Sequence, residues 1–270
     1  MDYALRSPLP ERLTQCLLAR EPGRKVSLTR ALWADWQLGR VAACENEPRG
    51  VLALPGRPAR PELVSPLSVP RRRVDTREGR AALIHALAHI EFNAINLALD
   101  AALRFAGLPA DFYRDWLSVA AEEACHFDLL SQHLATLDHA YGDFAAHAGL
   151  WEMAIKTAHD PLVRMALVPR VLEARGLDVI PAIAQKLRQA GDARAVEILA
   201  VIERDEIGHV TIGSHWFAWL CKQRGLEAEA SFRQLLKEYH APQIKPPFNI
   251  EARRQAGFSI GELEWLSAQT

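Results

Sequence analysis

Residues 112–130 read FYRDWLSVAAEEACHFDLL, and residues 203–217 read ERDEIGHVTIGSHWF. In both stretches apolar side chains recur at the helical period. In both, a glutamate and a histidine three residues apart stand where leucines belong. The first stripe runs Trp116, Val119, Glu123, His126, Phe127, Leu130, Leu134, Leu137; the second runs Leu199, Ile202, Glu206, His209, Gly213, Trp216, Leu220. With 20 Glu and 10 His in the chain, about 0.7 such pairs are expected by chance, so spacing alone is weak evidence.

Position along the chain is the stronger test. Upstream, Glu91 sits among Ile84, Leu87, Ala88, Ala94, Ile95 and Ala98; downstream, Glu173 sits among Ala166, Leu177 and Ile180. Glu91 lies 16 residues before Gly107 and Glu123 lies 16 after it. At the rise of an α-helix, a hairpin folded at Gly107 sets both carboxylates about 24 Å from the turn, at one level. Glu173 lies 18 residues before Gly191 and Glu206 lies 15 after it, a mismatch of only about 4–5 Å on the same rise. The pattern Glu…Glu-x-x-His therefore occurs twice, in two matching helical hairpins. That predicts an all-α four-helix bundle of two antiparallel hairpins joined by a long crossover, with four carboxylates and two imidazoles facing inward.

The helix ends follow from local chemistry. The first long helix spans about 77–106 and stops at Gly107-Leu108-Pro109; the second spans about 110–138. The third starts at Asp160-Pro161, an N-cap with proline at the first helical position, and reaches about 190, kinked at Pro169 and Pro181. The fourth runs from Gly191-Asp192 to about 223. A short helix is expected around 150–158 in the crossover. Before the bundle, short helices are expected at about 9–20 and 27–44. Residues 48–75, with Pro48, Pro55, Pro58, Pro61, Pro66 and Pro70, should be extended and draped over the rest. The tail from 241 is again proline-broken. The domain reading is 1–76 as N-terminal short helices and linker, 77–224 as the bundle, and 225–270 as a C-terminal helix and wrapping tail.

Composition sets the outer bounds. The 270 residues are 49% hydrophobic and 24% charged, with 32 basic against 33 acidic side chains and a formal net charge of −1. This is a globular composition, and it argues against a nucleic-acid-coating protein. No run approaches the ~18 uncharged apolar residues of a membrane helix, and the N-terminus lacks a signal-peptide stretch. Cys16, Cys44, Cys125 and Cys221 are scattered, which reads as reduced thiols in a cytoplasmic protein.

Four carboxylates in an apolar interior repel one another and take up protons unless cations neutralise them. The predicted ligands are Glu91, Glu123, His126, Glu173, Glu206 and His209, holding two divalent ions. Oxygen and nitrogen donors suit iron first, then manganese or a mixed iron–manganese pair, with zinc compatible. An acid precedes each paired Glu, and Glu122 and Asp205 are read as acceptors that orient ligating histidines, with a surface charge as the competing reading for each.

These residues resemble the ferritin-like carboxylate-bridged dimetal proteins, which implies that the bundle is a ferritin-like four-helix bundle with N- and C-terminal extensions. A closer resemblance covers nearly the whole chain: the family called domain of unknown function 455. It is carried by ALIHALAHIEFNAINLALDAALRF (82–105), the two opening stretches, GLWEMAIKTAHD (149–160), VLEARGLDVIP (171–181) and PPFNIEARRQAGF (246–258). The ferritin-like resemblance implies that Glu123 and Glu206 bridge the metals while Glu91 and Glu173 are terminal ligands. The arginine that often precedes the second His in oxygen-activating relatives is Cys125 or Gly208 here.

The remaining candidates read as structural. His85 and His89 lie well round the helix from Glu91. His133 reads as a satisfied core residue, His215 points away from Glu206, His159 precedes a helix cap, and His147 sits in the crossover. Arg71-Arg72-Arg73 reads as a solvated run, and Arg170 and Arg175 could pair with Glu173. A radical-storing tyrosine is not expected, because Leu130 occupies the position one turn after His126. The expected activity is O₂-dependent oxidation (hydroxylase or desaturase type) of a small molecule in the bundle cavity, with an unspecified electron donor. Metal handling of the ferroxidase kind, without organic substrate, is the alternative. A tRNA-modifying di-iron hydroxylase is the second, and it would need a basic face. An exposed bundle face suits a homodimer.

Overall fold

The computed structural model of the chain describes residues 7–42, 54–70, 72–239 and 245–268. These are mostly helical, apart from turns, an extended proline-rich stretch before residue 77, the connection at 137–148, and a two-residue parallel pairing of Ser7–Pro8 (β1) with Val41–Ala42 (β2). The all-α expectation holds. The chain divides into two compact units, Met1–Trp151 and Glu152–Thr270.

In the first unit, α1 (Leu9–Leu18) buries Leu9, Leu13, Cys16 and Leu17. The helix α2 covers Pro22–Gln37 and not the expected 27–44. Its start is set by Glu21, whose carboxylate accepts from the Gly23 and Arg24 amides, with Pro22 at the first helical position. Its end is set by Gly39 at φ +65°, a left-handed stop that closes the last turn. The long helix α3 (Arg77–Arg104) begins at Thr76, whose hydroxyl accepts from Gly79 N. It runs antiparallel to α4 (Ala110–Thr136) around Gly107 at φ +76°. Tyr113 staples that turn: its hydroxyl donates to Phe105 O (3.0 Å) and accepts from Leu108 N (3.3 Å). Helix α1 packs on α3, and α2 on α4.

By length and composition α3 is apolar enough to cross a membrane, although Glu91 and Asp100 interrupt its apolar run. Most of the helix is buried, so its apolar surface is consumed as the core of the first unit. The described part of the proline-rich stretch is extended, as expected, save for a single 3₁₀ turn at Pro66–Ser68. It is pinned at Gly56 N, which donates to Leu17 O (2.7 Å), and at Val64 and Glu62, which exchange hydrogen bonds with Ala146 (2.8 and 2.9 Å). Pro48 and Cys44 lie outside the described residues.

The short helix α5 (Gly149–Lys156) carries the chain into the second unit. There Asp160 caps α6 (Pro161–Leu167) by accepting from Leu162 N (2.7 Å). The expected single kinked helix is instead interrupted: a π-helical segment, Val168–Glu173, with Pro169 as its second residue, leads into α7 (Ala174–Gln189). Pro181 is carried inside α7. Proline there leaves the carbonyl of residue 177 without its helical donor, and Asn249 Nδ2 donates to Leu177 O at 3.3 Å. Gly191 (φ +75°) and Asp192, which accepts from Ala195 N, then open α8 (Ala193–Gln223). Beyond it come α9 (Ala228–Glu238), α10 (Ile250–Gln255) and α11 (Ile260–Ala268), so the tail holds more helix than its prolines suggested. Arg253 and Asp178, both buried, join α10 to α7 through two hydrogen bonds of 2.9 and 2.7 Å.

Candidate metal centre

In the first unit the predicted hairpin brings Glu91 of α3 to Glu123 and His126 of α4. His126 Nδ1 lies 3.1 Å from Glu91 Oε2 and 3.4 Å from Glu123 Oε2. One donor atom from each of the three falls within 4.8 Å of the others. Glu91 is 3% exposed and the other two are 0% exposed. Donors held about 2.0–2.2 Å from one ion are separated by roughly 3–4 Å, so the spacing fits a single divalent cation.

The electrostatics point the same way. Glu91 is pushed up to about 8, first by burial and then by the charge of Glu123, against a smaller opposing pull from His126. Burial alone would lower the His126 pKa, but hydrogen bonds and charge from Glu123 and Glu91 override it and raise it. Without a cation, these groups hold protons that a neutral-pH site would not otherwise keep. A divalent ion can take their place, because carboxylate oxygens and a neutral imidazole are the donor set it prefers.

In the second unit, Glu206 and His209 are one helical turn apart on α8 and both buried. The Glu206 carboxylate rests against α7 where Gly176 has no side chain: a Cβ there would stand 3.8 Å from Glu206 Cδ. Glu173, one turn before Gly176, ends the π-helical segment and is half-buried. The extra residue per turn of a π segment rotates the helix beyond it, which is how Glu173 comes to its register before α7. Gly213 lets α8 approach that segment closely, since a methyl group at 213 would overlap the Pro169 ring.

The arginines flanking Glu173 have other partners. Arg170 meets both oxygens of Glu262 at 2.8 Å, inside a cage of Phe217, Phe232 and Phe258. Arg175 reaches Asp178 (3.4 Å) and Lys245 O (2.6 Å). Of the acids preceding the ligands, Glu122 is exposed, 3.4 Å from Ser118 Oγ, and Asp205 is paired with Arg204 at 2.8 Å.

His85 is buried and accepts from Gly142 N (2.9 Å), while burial lowers its pKa to about 4. His159 stacks on Tyr239, His133 is buried on α4, and His215 is exposed beside Trp216. His147 gives its carbonyl to His89 and its Nδ1 to Gly149 N. Arg72 and Arg73 pair with Glu78 and Asp75; Arg71 lies outside the described residues. Cys16, Cys125 and Cys221 are free thiols. What the sequence did not bring forward is the cluster of His85, His89, Phe92, Phe127 and Tyr141, whose rings stack or meet edge to face. Its signal was the polar series His89, Asn93, Asn96, Asp100 on an otherwise apolar helix.

The chain is thus an all-α protein with a buried carboxylate–imidazole cluster able to hold a metal. It belongs to the family described as "Protein of unknown function (DUF455)", which matches residues 18–264. It is also 56% identical over 216 residues to an "Uncharacterized protein" of Haemophilus influenzae, covering 77% of this chain and 75% of that one. No solved structure matches.

Proposed function

We propose that the protein is a ferritin-like dimetal oxidoreductase that uses dioxygen to oxidise a small organic molecule. The observation that carries this is the buried Glu91–Glu123–His126 cluster on α3 and α4, with its donor atoms within 4.8 Å of one another. The repeat of the same pattern in the sequence supports a second set, Glu173, Glu206 and His209. On this reading the two hairpins form one four-helix bundle and the six residues hold two ions, iron before manganese. Two redox-active ions with open coordination positions supply the electrons and binding sites for dioxygen chemistry.

The chain's own part is to neutralise, position and keep dry. The ionised carboxylates balance the cationic charge, and His126 completes coordination as a neutral imidazole. The donors of the first unit are buried, Glu91 at 3% and Glu123 and His126 at 0% exposure, which keeps bulk water from them. The unpaired thiols are compatible with a reducing, cytoplasmic setting.

The test is metal content of chain purified without chelator, followed by anaerobic ferrous loading and exposure to O₂. Expected are two ions per chain, an optical change on oxygen addition, and a product from small-molecule extracts that depends on O₂. Glu123→Ala and Glu206→Ala should each lose most of the metal. Unchanged metal content in both variants refutes the ligand assignment. Two ions with O₂ consumed but no organic product would assign the protein to metal handling instead.

A further inference from the structure

On another face of α3 the proline-rich stretch covers a cavity of about 110 Å³, lined in part by Arg57, His89, Phe92, Asn96, Tyr141 and Trp151. His89, Phe92, Asn93 and Asn96 are spaced to share one face of the helix, about 150° round from Glu91 at 100° per residue. The cavity is therefore separate from the carboxylate cluster.

Its walls are mostly apolar, and its polar groups are specific. Asn96 is 1% exposed. Its Nδ2 donates back to Phe92 O (3.0 Å), while its Oδ1 has no hydrogen-bond partner among the described residues. A buried acceptor left unmade costs about 1–3 kcal/mol, so this oxygen calls for a donor from outside the chain. His89 is held by Tyr141 Oη on Nδ1 (2.9 Å) and His147 O on Nε2 (3.0 Å). Asn93 Nδ2 also stands 3.1 Å from Nε2, and burial lowers the His89 pKa, which favours the neutral ring. Among the described residues Arg57 is the one arginine or lysine lining the cavity, and none of the lining residues is an acid. Arg57 makes no hydrogen bond or ion pair among the described residues, yet its charge acts on both His89 and Tyr141. A guanidinium at the rim of an apolar, low-dielectric pocket attracts an anion.

We infer that this cavity is a binding site for a small hydroxy acid, its carboxylate on Arg57 and its hydroxyl donating to Asn96 Oδ1. An apolar cavity of about 150 Å³ holds benzene, so about 110 Å³ takes a body of roughly four to five non-hydrogen atoms, with the carboxylate left at the open rim on Arg57. The site does not depend on the metal reading.

The test is a titration of ¹⁵N-labelled full chain with 3-hydroxybutyrate, following the Trp151 indole and the Asn96 side-chain amide. Two partial probes dissect it: butyrate lacks the hydroxyl, and 1,3-butanediol lacks the carboxylate. Expected are saturable shifts at both reporters, with affinity about fivefold weaker for butyrate and about tenfold weaker for the diol. Arg57→Gln, at an exposed position, should weaken the acid about tenfold and leave the diol unchanged. Glu91→Gln should bind the acid as the native chain does, so loss of the metal centre leaves this result standing. Absence of saturable shifts up to about 50 mM, or equal affinity in Arg57→Gln, overturns the proposal.

Discussion

Substituting Glu91 by glutamine should make the metal-free protein more stable at pH 8 and leave it nearly unchanged at pH 5. The folded chain holds the Glu91 proton up to about 8, against an ordinary carboxylate value of 4.5. A raised acid pKa stabilises the fold fully below the unfolded value and loses that contribution as pH climbs through the folded value. Over the interval from 4.5 to about 8, at about 1.4 kcal/mol per unit, the loss is on the order of 3–5 kcal/mol. Glutamine mimics the protonated acid in shape and hydrogen bonding but cannot ionise. Other groups titrate nearby and oppose the trend: His85 is lowered to about 4 and Lys25 to about 7, so both favour the fold as pH rises. The quantity to measure is therefore the difference between native and variant urea-unfolding free energies, after chelation, at half-unit steps from pH 5 to 8.5. The difference should grow monotonically in favour of the variant. Adding Mn²⁺ at pH 8 should reverse it, raising the native midpoint and leaving the variant's in place. A pH-independent difference, or equal stabilisation of both proteins by Mn²⁺, refutes the argument that cation and proton compete for this cluster.

Lys25 is fully buried and its ammonium donates to Cys16 O (2.9 Å) and Leu17 O (2.8 Å). Those carbonyls keep backbone donors from Ala19 and Gly56, so Lys25→Met should cost no more than about 1 kcal/mol at pH 7. Its folded value of about 7 lies below the ordinary 10.5, so its contribution to native stability climbs by up to about 1.4 kcal/mol per unit from pH 7 to 9. The same series on the variant should lack that climb. Gly213→Ala should lose about 1–3 kcal/mol in thermal unfolding, because its methyl group meets the Pro169 ring and the π-helical segment must shift. A stability equal to native would show that the approach of α8 is looser than described. Arg170→Met strands the buried Glu262 carboxylate and should cost about 3–5 kcal/mol, while Arg170→Met with Glu262→Leu recovers most of it. Purely additive losses would deny the coupling of that pair.

How far the residues alone reveal the structure depends on the range of the interactions involved. The hairpin at Gly107 was legible because helical rise is fixed and the stop signal is local. Two equal intervals, from Glu91 to Gly107 and from Gly107 to Glu123, therefore placed the two carboxylates side by side before any contact was known. The start of α2 was missed because Glu21 takes a role usually held by Ser, Thr, Asp or Asn. Only its hydrogen bonds to Gly23 and Arg24 distinguish it from a surface acid. Pro169 and Pro181 look equivalent in sequence, yet one stands within a π-helical segment and the other inside a continuous α-helix. At Pro181 the freed carbonyl is met by Asn249, far beyond it in the chain. A local rule can state that a proline orphans a carbonyl, but it cannot say whether a distant amide will arrive to satisfy it. The pocket beside His89 was hidden for the same reason: its polar stripe is visible on α3, but its roof is a proline-rich segment whose partner the sequence does not name. Charge balance was the most transferable signal, since a carboxylate placed among leucines demands an explanation whatever the neighbouring chain does.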